Sequence, residues 1–266
     1  MSIRLDVAVF ERGLAQSREK ARALIMAGDV FVDGRRVDKA GTAIHEDARI
    51  EVREDVLPFV SRGGLKLQKA VETFDITLDG VYALDIGAST GGFTDCMLQH
   101  GARHVCAVDV GYGQLDWKLR NDERVTVMER TNARNMVPEW YAEPADFASI
   151  DVSFISLRLM LPPLRDCLKE DGRVVALIKP QFEAGRAEVG KNGVVRDAAV
   201  HARVIREITG FAVNNCGYSL LGLTFSPITG PKGNIEYLMY LKKGGPSLAL
   251  SDEYIMRVVD ESHTLR

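Results

Sequence analysis

The sequence predicts an α/β protein in two parts: a small α+β domain, then a mostly parallel sheet with helices on both faces. Strand-like apolar runs alternate with helical patterns from Ser61 onward, which is typical of a parallel sheet. Hairpin and short-helix signals are confined to the first 54 residues, and a charge run with Pro58 follows them. We therefore predict domains at 1–54 and 61–245, a linker at 55–60 and a C-terminal amphipathic helix at 246–266.

The composition is that of an ordinary globular protein. The chain has 266 residues, of which 46% are apolar, and a net charge of −3, so nucleic-acid binding would need a local basic patch. The four cysteines have no paired spacing and the five histidines no metal-ligand spacing, which favours a cytoplasmic protein without a metal. No apolar run reaches the roughly 18 residues of a membrane span, and the N-terminus lacks a signal-peptide core.

The first part of the chain carries signals for two short helices and a small sheet. Apolar residues recur at helical spacing over 4–12 and again over 17–27. The alternating segment 30–37 surrounds an Asp33-Gly34 pair, which favours a β-hairpin. A last short strand is predicted at 49–52.

A glycine-bearing turn in the second part indicates a nucleotide-like ligand. The strand at 81–84 ends in Asp85 and the turn Gly87–Gly92, and the next strand ends in Asp109. The glycines permit a tight turn and a close backbone approach, while a carboxylate about twenty residues further on suits a ribose diol. Asp85 would repel a pyrophosphate but attract an ammonium, which favours an amino-acid cofactor such as S-adenosylmethionine.

Charged residues also end two later strands of the predicted sheet. Asp151 ends the strand predicted at 146–151, and Lys179 ends the strand predicted at 174–179. Because ligands of open α/β sheets bind beyond the carboxyl ends of the strands, both residues are candidates for a site. Asp151 could instead cap the following helix, and Lys179 could extend along the sheet until its ammonium reaches water.

Three sequence segments resemble a known RNA-binding module. Arg4-Leu5-Asp6, residues 13–21 and residues 28–34 are similar to an S4 domain, and the remainder is similar to FtsJ-like ribose 2′-O-methyltransferases. The order of the two, joined at 57–67, resembles the TlyA family of ribosomal RNA methyltransferases, often labelled hemolysin A. The resemblance implies a Rossmann-like class I methyltransferase sheet and 2′-O-methylation of a ribose, with cytidine as the base.

The resemblance also implies a Lys-Asp-Lys-Glu tetrad, whose members here match Lys66, Asp151, Lys179 and Glu236. Lys69 is a rival for the first position, but the predicted helix would turn it to another face. A ribose hydroxyl is a poor nucleophile, so the protein must remove its proton and align it. Lys179 is the expected base, Lys66 is expected to stabilise the alkoxide, and the two carboxylates are expected to orient the lysines.

For the cofactor, the resemblance implies S-adenosylmethionine held by the glycine-bearing turn, with Asp109 on its ribose and Asn132 near its adenine. Asn132 could equally be a simple turn residue. The expected cofactor-binding residues are Asp85, Gly87, Ser89, Thr90, Gly91, Gly92, Phe93, Asp109 and Asn132.

The expected partner is ribosomal RNA or a ribosomal subunit. Each basic candidate could instead be solvated surface, and acidic neighbours such as Asp6 offset part of the charge. The candidate RNA-binding residues are Arg4, Arg18, Lys20, Arg22, Arg62, Arg186, Lys191 and Arg196.

Two other functions stay open at this point. One is a non-catalytic RNA-binding or ribosome-assembly factor, against which the complete tetrad argues. The other is a membrane-active hemolysin, against which the missing apolar span argues. Within the TlyA family, the short stretch Met1-Ser2-Ile3 before Arg4 favours the group that modifies large-subunit RNA alone.

Overall fold

The computed structural model describes residues 2–15, 17–52, 58–190 and 192–265. The chain divides into two compact units, Met1–Leu57 and Pro58–Arg266. Of the predicted linker at 55–60, only 58–60 lie within the described residues, and the predicted domain end at residue 54 lies outside them.

The N-terminal unit is built from short strands and two helices. Within its described residues these are β1 (Ser2–Arg4), α1 (Leu5–Glu11), α2 (Arg18–Ala27), β2 (Val30–Val32), β3 (Arg35–Arg36), β4 (Ala43–His45) and β5 (Ile50–Val52). Strand β1 pairs with β4, and β2 lies between β3 and β5, all antiparallel.

The local signals of this unit are largely confirmed. The hairpin around Asp33-Gly34 is present as the β2–β3 pair, and the Ser17 hydroxyl accepts a hydrogen bond from the Lys20 backbone N–H at the start of α2. The prediction that the first helix includes Arg4 is wrong. Residues 2–4 form strand β1, in which Ile3 lies opposite Ile44 of β4.

The C-terminal unit alternates strands and helices. Its described residues form α3 (Gly63–Phe74), β6 (Tyr82–Ile86), α4 (Gly92–Gln99), β7 (His104–Val108), α5 (Trp117–Arg120), β8 (Val125–Met128), β9 (Ala145–Ile150), α6 (Leu161–Asp166), β10 (Leu168–Ile178), α7 (Pro180–Glu183), α8 (Ala198–Asn214), β11 (Tyr218–Phe225), β12 (Tyr237–Lys243) and α9 (Asp252–Ser262).

One mixed sheet organises this unit, and it confirms the α/β prediction. Its order in the described residues is β11-β12-β10-β9-β6-β7-β8. The strands from β10 to β8 are parallel, whereas β12 runs antiparallel to β10 and to β11. The strand order reverses at β6, which is flanked by β7 and β9, and such a switch point is where open sheets bind ligands.

Alternate residues of the buried strands supply two cores, one on each face of the sheet. In β10, Val174, Ala176 and Ile178 join one core, while Val175 and Leu177 join the other. This explains why the strand is an unbroken apolar run: neither face is left to solvent.

The segment 246–266, predicted to carry a C-terminal amphipathic helix, is helical over Asp252–Ser262. Its sequence indicates Ser251 or Asp252 as the N-cap, and the structure confirms Ser251. The helix begins at Asp252, where the Ser251 hydroxyl accepts a hydrogen bond from the Tyr254 backbone N–H. Its stripe of Ile255, Val258 and Val259 packs into the core, as the pattern predicted.

Candidate active site

The topology brings four chemically active positions to one edge of the sheet. Asp109, Asp151 and Lys179 follow the parallel strands β7, β9 and β10 directly. Strand β12 is antiparallel, so its first residue lies at the same edge, where Tyr237 pairs with Ile178. Glu236 immediately precedes it. These residues are far apart in sequence, and they lie close together because the strand ends that carry them lie at the same edge of the sheet.

Three of these side chains form a continuous series of ion pairs with Lys66 of α3, and we call the four residues the tetrad: Lys66, Asp151, Lys179 and Glu236. The Lys179 ammonium lies 2.5 Å from Asp151 Oδ1. The Lys66 ammonium donates to Asp151 Oδ2 at 3.4 Å and to Glu236 Oε2 at 2.6 Å. Asp151 thus bridges the two lysines, and the ion pairs connect the four side chains in the order Lys179, Asp151, Lys66, Glu236.

The tetrad is charge-balanced and largely buried. The side chains of Lys66 and Lys179 are 10% and 8% exposed, and that of Asp151 is 18% exposed. Burial acts to lower the pKa of Lys66, but the charges of Asp151 and Glu236 outweigh it and the pKa is raised. Burial likewise acts to raise the pKa of Asp151, yet the two lysines lower it overall. Lys66 therefore stays an ammonium and Asp151 a carboxylate.

This geometry decides between the alternatives left open by the sequence. Asp151 binds lysines, while the hydroxyl of Ser156 accepts from the backbone N–H at the start of the next helical turn. Lys179 is buried, so its ammonium does not extend to water. Lys66, rather than Lys69, contacts the two carboxylates.

A cleft of about 530 Å³ adjoins the tetrad, and Asp151 lines it. Such a volume suits a small-molecule site. Of the residues expected to bind the cofactor, Gly87, Ser89, Asp109 and Asn132 also line it.

Backbone groups hold the Asp109 carboxylate at the rim of the cleft. Its Oδ2 accepts from the Ser89 N–H at 2.8 Å and its Oδ1 from the Gly111 N–H at 2.6 Å. Asn132 both lines the cleft and accepts a hydrogen bond from the Arg134 N–H, so the two alternatives for this residue coexist.

The glycines of the turn are required by the protein itself. Gly87 has a φ of 87°, and a Cβ there would lie 2.6 Å from the backbone oxygen of Asp151. Gly91 has a φ of 93°, and a Cβ there would lie 2.3 Å from Leu119 Cδ1. Close packing of the strand ends that carry the site therefore depends on Gly87.

The other turn residues lie outside the cleft lining. Phe93 is a core residue, Gly92 is buried against Ser61, and Thr90 is exposed. These three contribute to the shape of the turn and not to the surface of the cleft.

Asp85 differs from its expected role at the cofactor. Its carboxylate is fully buried, and it accepts hydrogen bonds from Thr94 Oγ1 at 2.6 Å and Ser149 Oγ at 3.0 Å. Burial raises its pKa to about 6. Asp85 thus ties the first turn of α4 to β9 from inside the fold instead of presenting a charge to the cleft.

Two polar side chains beside the tetrad escaped the sequence analysis. Ser153 Oγ accepts from the Lys179 ammonium at 3.2 Å, and Gln181 Nε2 donates to Glu236 Oε1 at 3.5 Å. Each stands two residues after a tetrad member, in Asp-Val-Ser and Lys-Pro-Gln, and that proximity is the signal that could have identified them.

The basic candidates for RNA binding fall into separate groups. Arg4, Arg18 and Arg22 surround the buried carboxylate of Asp6, and we call these four residues the arginine cluster. Lys20 is exposed on α2. In the C-terminal unit Arg62, Arg186 and Arg196 are exposed, while Lys191 lies outside the described residues.

Comparisons with known proteins show which family the chain belongs to. The sequence pattern of FtsJ-like methyltransferases matches residues 59–243, and that of the S4 domain matches residues 3–50. A 16S/23S rRNA (cytidine-2′-O)-methyltransferase TlyA from Mycobacterium tuberculosis is 46% identical over 240 residues, 90% of this chain and 89% of that protein. The chain belongs to the TlyA family.

Two further relatives of this TlyA-family chain extend the comparison. A 23S rRNA (cytidine-2′-O)-methyltransferase TlyA from Campylobacter jejuni is 33% identical over 262 residues, 91% of this chain and 100% of that protein. The solved structure of a Streptococcus thermophilus protein that carries a hemolysin name is 48% identical, with a TM-score of 0.79 over 98% of this chain and 96% of that one. As a family member, the chain is an FtsJ-like methyltransferase whose cofactor is S-adenosylmethionine.

Neither a membrane-spanning helix nor a metal-binding cluster occurs among the described residues. In the part of the chain that the structure describes, every helix is too short or too polar to cross a bilayer. Among the same residues, no group of three histidine, cysteine or acidic side chains is placed to hold a metal ion.

Proposed function

We propose that this TlyA-family protein methylates the 2′-oxygen of a cytidine ribose in ribosomal RNA, with large-subunit RNA as its substrate. The observation that carries the proposal is the tetrad, in which two lysines and two carboxylates meet beside a cleft of cofactor size. A protein that only bound RNA would have no need to bury four charges at the rim of such a cleft, because burial of charge is costly.

The cleft fits the cofactor by the chemistry of its lining. A fixed carboxylate, Asp109, suits a ribose diol, and Asn132 can hydrogen-bond a base. S-adenosylmethionine supplies an electrophilic methyl group when bound. The protein must then deprotonate the hydroxyl and hold its oxygen in line.

We assign these tasks to different tetrad members. Lys179 in its neutral form accepts the proton of the 2′-hydroxyl. Lys66, which stays an ammonium, stabilises the negative charge that develops on the oxygen. Asp151 fixes both lysines, and Glu236 holds Lys66 from the other side.

An exposed aromatic ring beside the tetrad supports a nucleotide substrate. Phe154 is 90% exposed, has a positive φ of 63° and lies next to Ser153. Its ring packs on that of Phe182 with centroids 4.9 Å apart, and the Lys179 ammonium lies 5.9 Å from the Phe182 ring. Such a ring offers a stacking surface for an unpaired base close to the proposed general base.

We assign RNA-backbone contacts to the basic residues of both units. The S4-type unit carries Arg4, Arg18, Lys20 and Arg22, and the methyltransferase unit carries Arg62, Arg186, Lys191 and Arg196. Large-subunit RNA is the proposed substrate because 23S RNA occurs in the names of both TlyA relatives, whereas 16S RNA occurs in only one.

The test is to express the chain in a bacterium that lacks a TlyA-family gene and to map ribose methylation in both ribosomal RNAs by mass spectrometry. We expect one new 2′-O-methylcytidine in large-subunit RNA. A strain expressing Lys179→Met is the matched control and should show none. New ribose methylation in small-subunit RNA alone would contradict the proposal that large-subunit RNA is the substrate. No new methylation in either RNA would favour a non-catalytic factor.

A further inference from the structure

The arginine cluster of the N-terminal unit is organised by one carboxylate. Asp6 has no exposed surface, whereas the side chains of its three arginines are each about half exposed, at 52%, 49% and 50%. Asp6 Oδ1 accepts from Arg4 Nε at 2.9 Å. Asp6 Oδ2 accepts from Arg22 Nε at 3.0 Å and from Arg18 Nε at 3.3 Å. The arginines also hold the pKa of Asp6 well below its usual range, led by the Arg4 hydrogen bond.

Asp6 accepts from the Nε of each arginine, and Arg4 also donates its Nη2 to Asp6 Oδ2 at 3.3 Å. Arg18 and Arg22 stand four residues apart on α2, which places them on one helix face, and both donate to Asp6 through Nε. Their terminal Nη groups are the part of the fork that suits a phosphate. The half-exposure of these side chains is consistent with terminal groups that reach solvent.

A single buried charge explains why three cations can share one surface. Without it, the guanidinium groups would repel one another and lose their common orientation. With it, the cluster keeps a surplus of two positive charges and its side chains give up less rotamer freedom when a ligand binds. Guanidinium groups that are held in place and carry a net positive charge are suited to bind adjacent phosphates.

We infer that Asp6 is a positioning residue that presets the arginine cluster as one binding unit for adjacent phosphates of an RNA backbone. The inference rests on the proposed RNA substrate. It assigns Asp6 a role opposite to that of an ordinary acidic neighbour, which would weaken the attraction of RNA.

The decisive variant is Asp6→Asn, tested in the full-length protein. The asparagine amide has only one acceptor oxygen, so its Nδ2 would face either Arg4 or the two arginines of α2. Two hydrogen-bond donors would then face each other, and one of these contacts would be lost. The control is Glu19→Gln, which removes the same charge from an exposed position on α2. The ligand is the purified large ribosomal subunit from a strain that lacks the methylation, and the readout is the dissociation constant at several salt concentrations.

We expect Asp6→Asn to weaken binding by about threefold to tenfold, although the variant is more positive than the wild type. Glu19→Gln should bind as the wild type does or slightly more tightly. Equal or tighter binding by Asp6→Asn would overturn the inference, because the carboxylate would then act only as a neutralising charge. Circular dichroism and hydrogen exchange over α1 and α2 establish whether the variant is folded.

A second pair of variants tests the inference if Asp6→Asn unfolds the N-terminal unit. Arg22→Lys keeps the charge but removes the Nε donor and the planar fork. Arg49→Lys makes the same change at an exposed arginine whose Nε pairs with Glu51 at 3.0 Å, outside the cluster. We expect weaker binding by about threefold or more for Arg22→Lys alone. Equal effects of the two substitutions would overturn the inference.

The wild type separates this inference from the proposed function. A wild-type protein that neither binds nor methylates either subunit would contradict the proposed function itself. A wild type that binds and methylates, with Asp6→Asn equal to Glu19→Gln, would contradict the role of Asp6 alone.

Discussion

The arginine cluster and the tetrad are both groups of basic side chains paired with carboxylates. They differ in their charge balance and in their exposure to solvent. The arginine cluster places three cations on one carboxylate and leaves each cation half exposed. The tetrad pairs two cations with two carboxylates and leaves each side chain at most 18% exposed. Surplus charge at the surface attracts a polyanion over a distance, whereas balanced charge in a buried site acts only on what touches it.

A third buried carboxylate shows what the cationic partners contribute. Asp85 is as buried as Asp6, but its partners are the hydroxyls of Thr94 and Ser149. Its pKa is raised to about 6, whereas the pKa values of Asp6 and Asp151 are lowered by arginine and lysine. At Asp85 the hydroxyl donors therefore do not offset the effect of burial on the pKa, whereas at Asp6 and Asp151 the cations do.

The largest expected effect follows from removing a tetrad lysine. Lys179→Met should lower the rate of methyl transfer by about 10²-fold to 10⁴-fold, because it removes the proposed general base. Binding of S-adenosylmethionine, measured by calorimetry, should survive. Lys69→Ala is the control, since it removes a lysine from α3 that does not join the tetrad. Transfer by Lys179→Met within tenfold of the wild type would remove Lys179 from the role of base.

A smaller effect is expected at Asp85. Its folded pKa of about 6 exceeds the ordinary value of 3.8, so its stabilising contribution is complete below 3.8 and is lost as the pH rises through 6. Wild-type stability should therefore fall relative to Asp85→Asn by about 2 kcal/mol between pH 4 and pH 7. Urea unfolding of both proteins, followed by circular dichroism at several pH values, measures this difference. A difference between the two proteins that does not change with pH would show that Asp85 ionises normally.

The sequence predicted the members of the two charge clusters better than their arrangement. Asp151 and Lys179 were identifiable because each ends a predicted strand, whereas Lys66 and Glu236 were identified only through the family resemblance. Burial and pairing could not be predicted in the same way. Asp6 counted as a charge that offsets its arginine neighbours, and the structure makes it their shared acceptor. Asp85 was expected at the cofactor, yet its burial depends on how α4 and β9 pack together. Such contacts join distant segments, and local patterns do not encode them.

The same limit applied to the ends of elements in the fold. The parallel sheet was predicted from apolar runs that recur along the chain. Strand β1 was missed because three residues carry too little pattern, and its pairing with β4 spans about forty residues of sequence. The start of the C-terminal helix, by contrast, was predictable, because serine is a residue type that caps helices and the Ser251 hydroxyl accepts from the Tyr254 backbone N–H.

Arg18→Ala tests whether the two clusters affect different kinetic constants. It should raise the KM for large subunits about tenfold at physiological salt and leave kcat unchanged, because the lost contact is to a phosphate and not to the reacting atoms. The slope of log affinity against log salt should fall by about one. Arg49→Ala, outside the cluster, is the control. A fall in kcat for Arg18→Ala would mean that the N-terminal unit also aligns the reacting ribose.

The smallest expected effect concerns Ser153, whose hydroxyl oxygen accepts from the Lys179 ammonium at 3.2 Å. Ser153→Ala removes that contact and leaves the ion pair of Lys179 with Asp151 in place. Methyl transfer, measured as kcat, should therefore fall by about twofold to fivefold, because the lysine is held less firmly. Ser156→Ala is the matched control, because that hydroxyl donates to Glu183 and does not contact Lys179. A kcat equal to that of the wild type in Ser153→Ala would show that Asp151 alone positions the lysine.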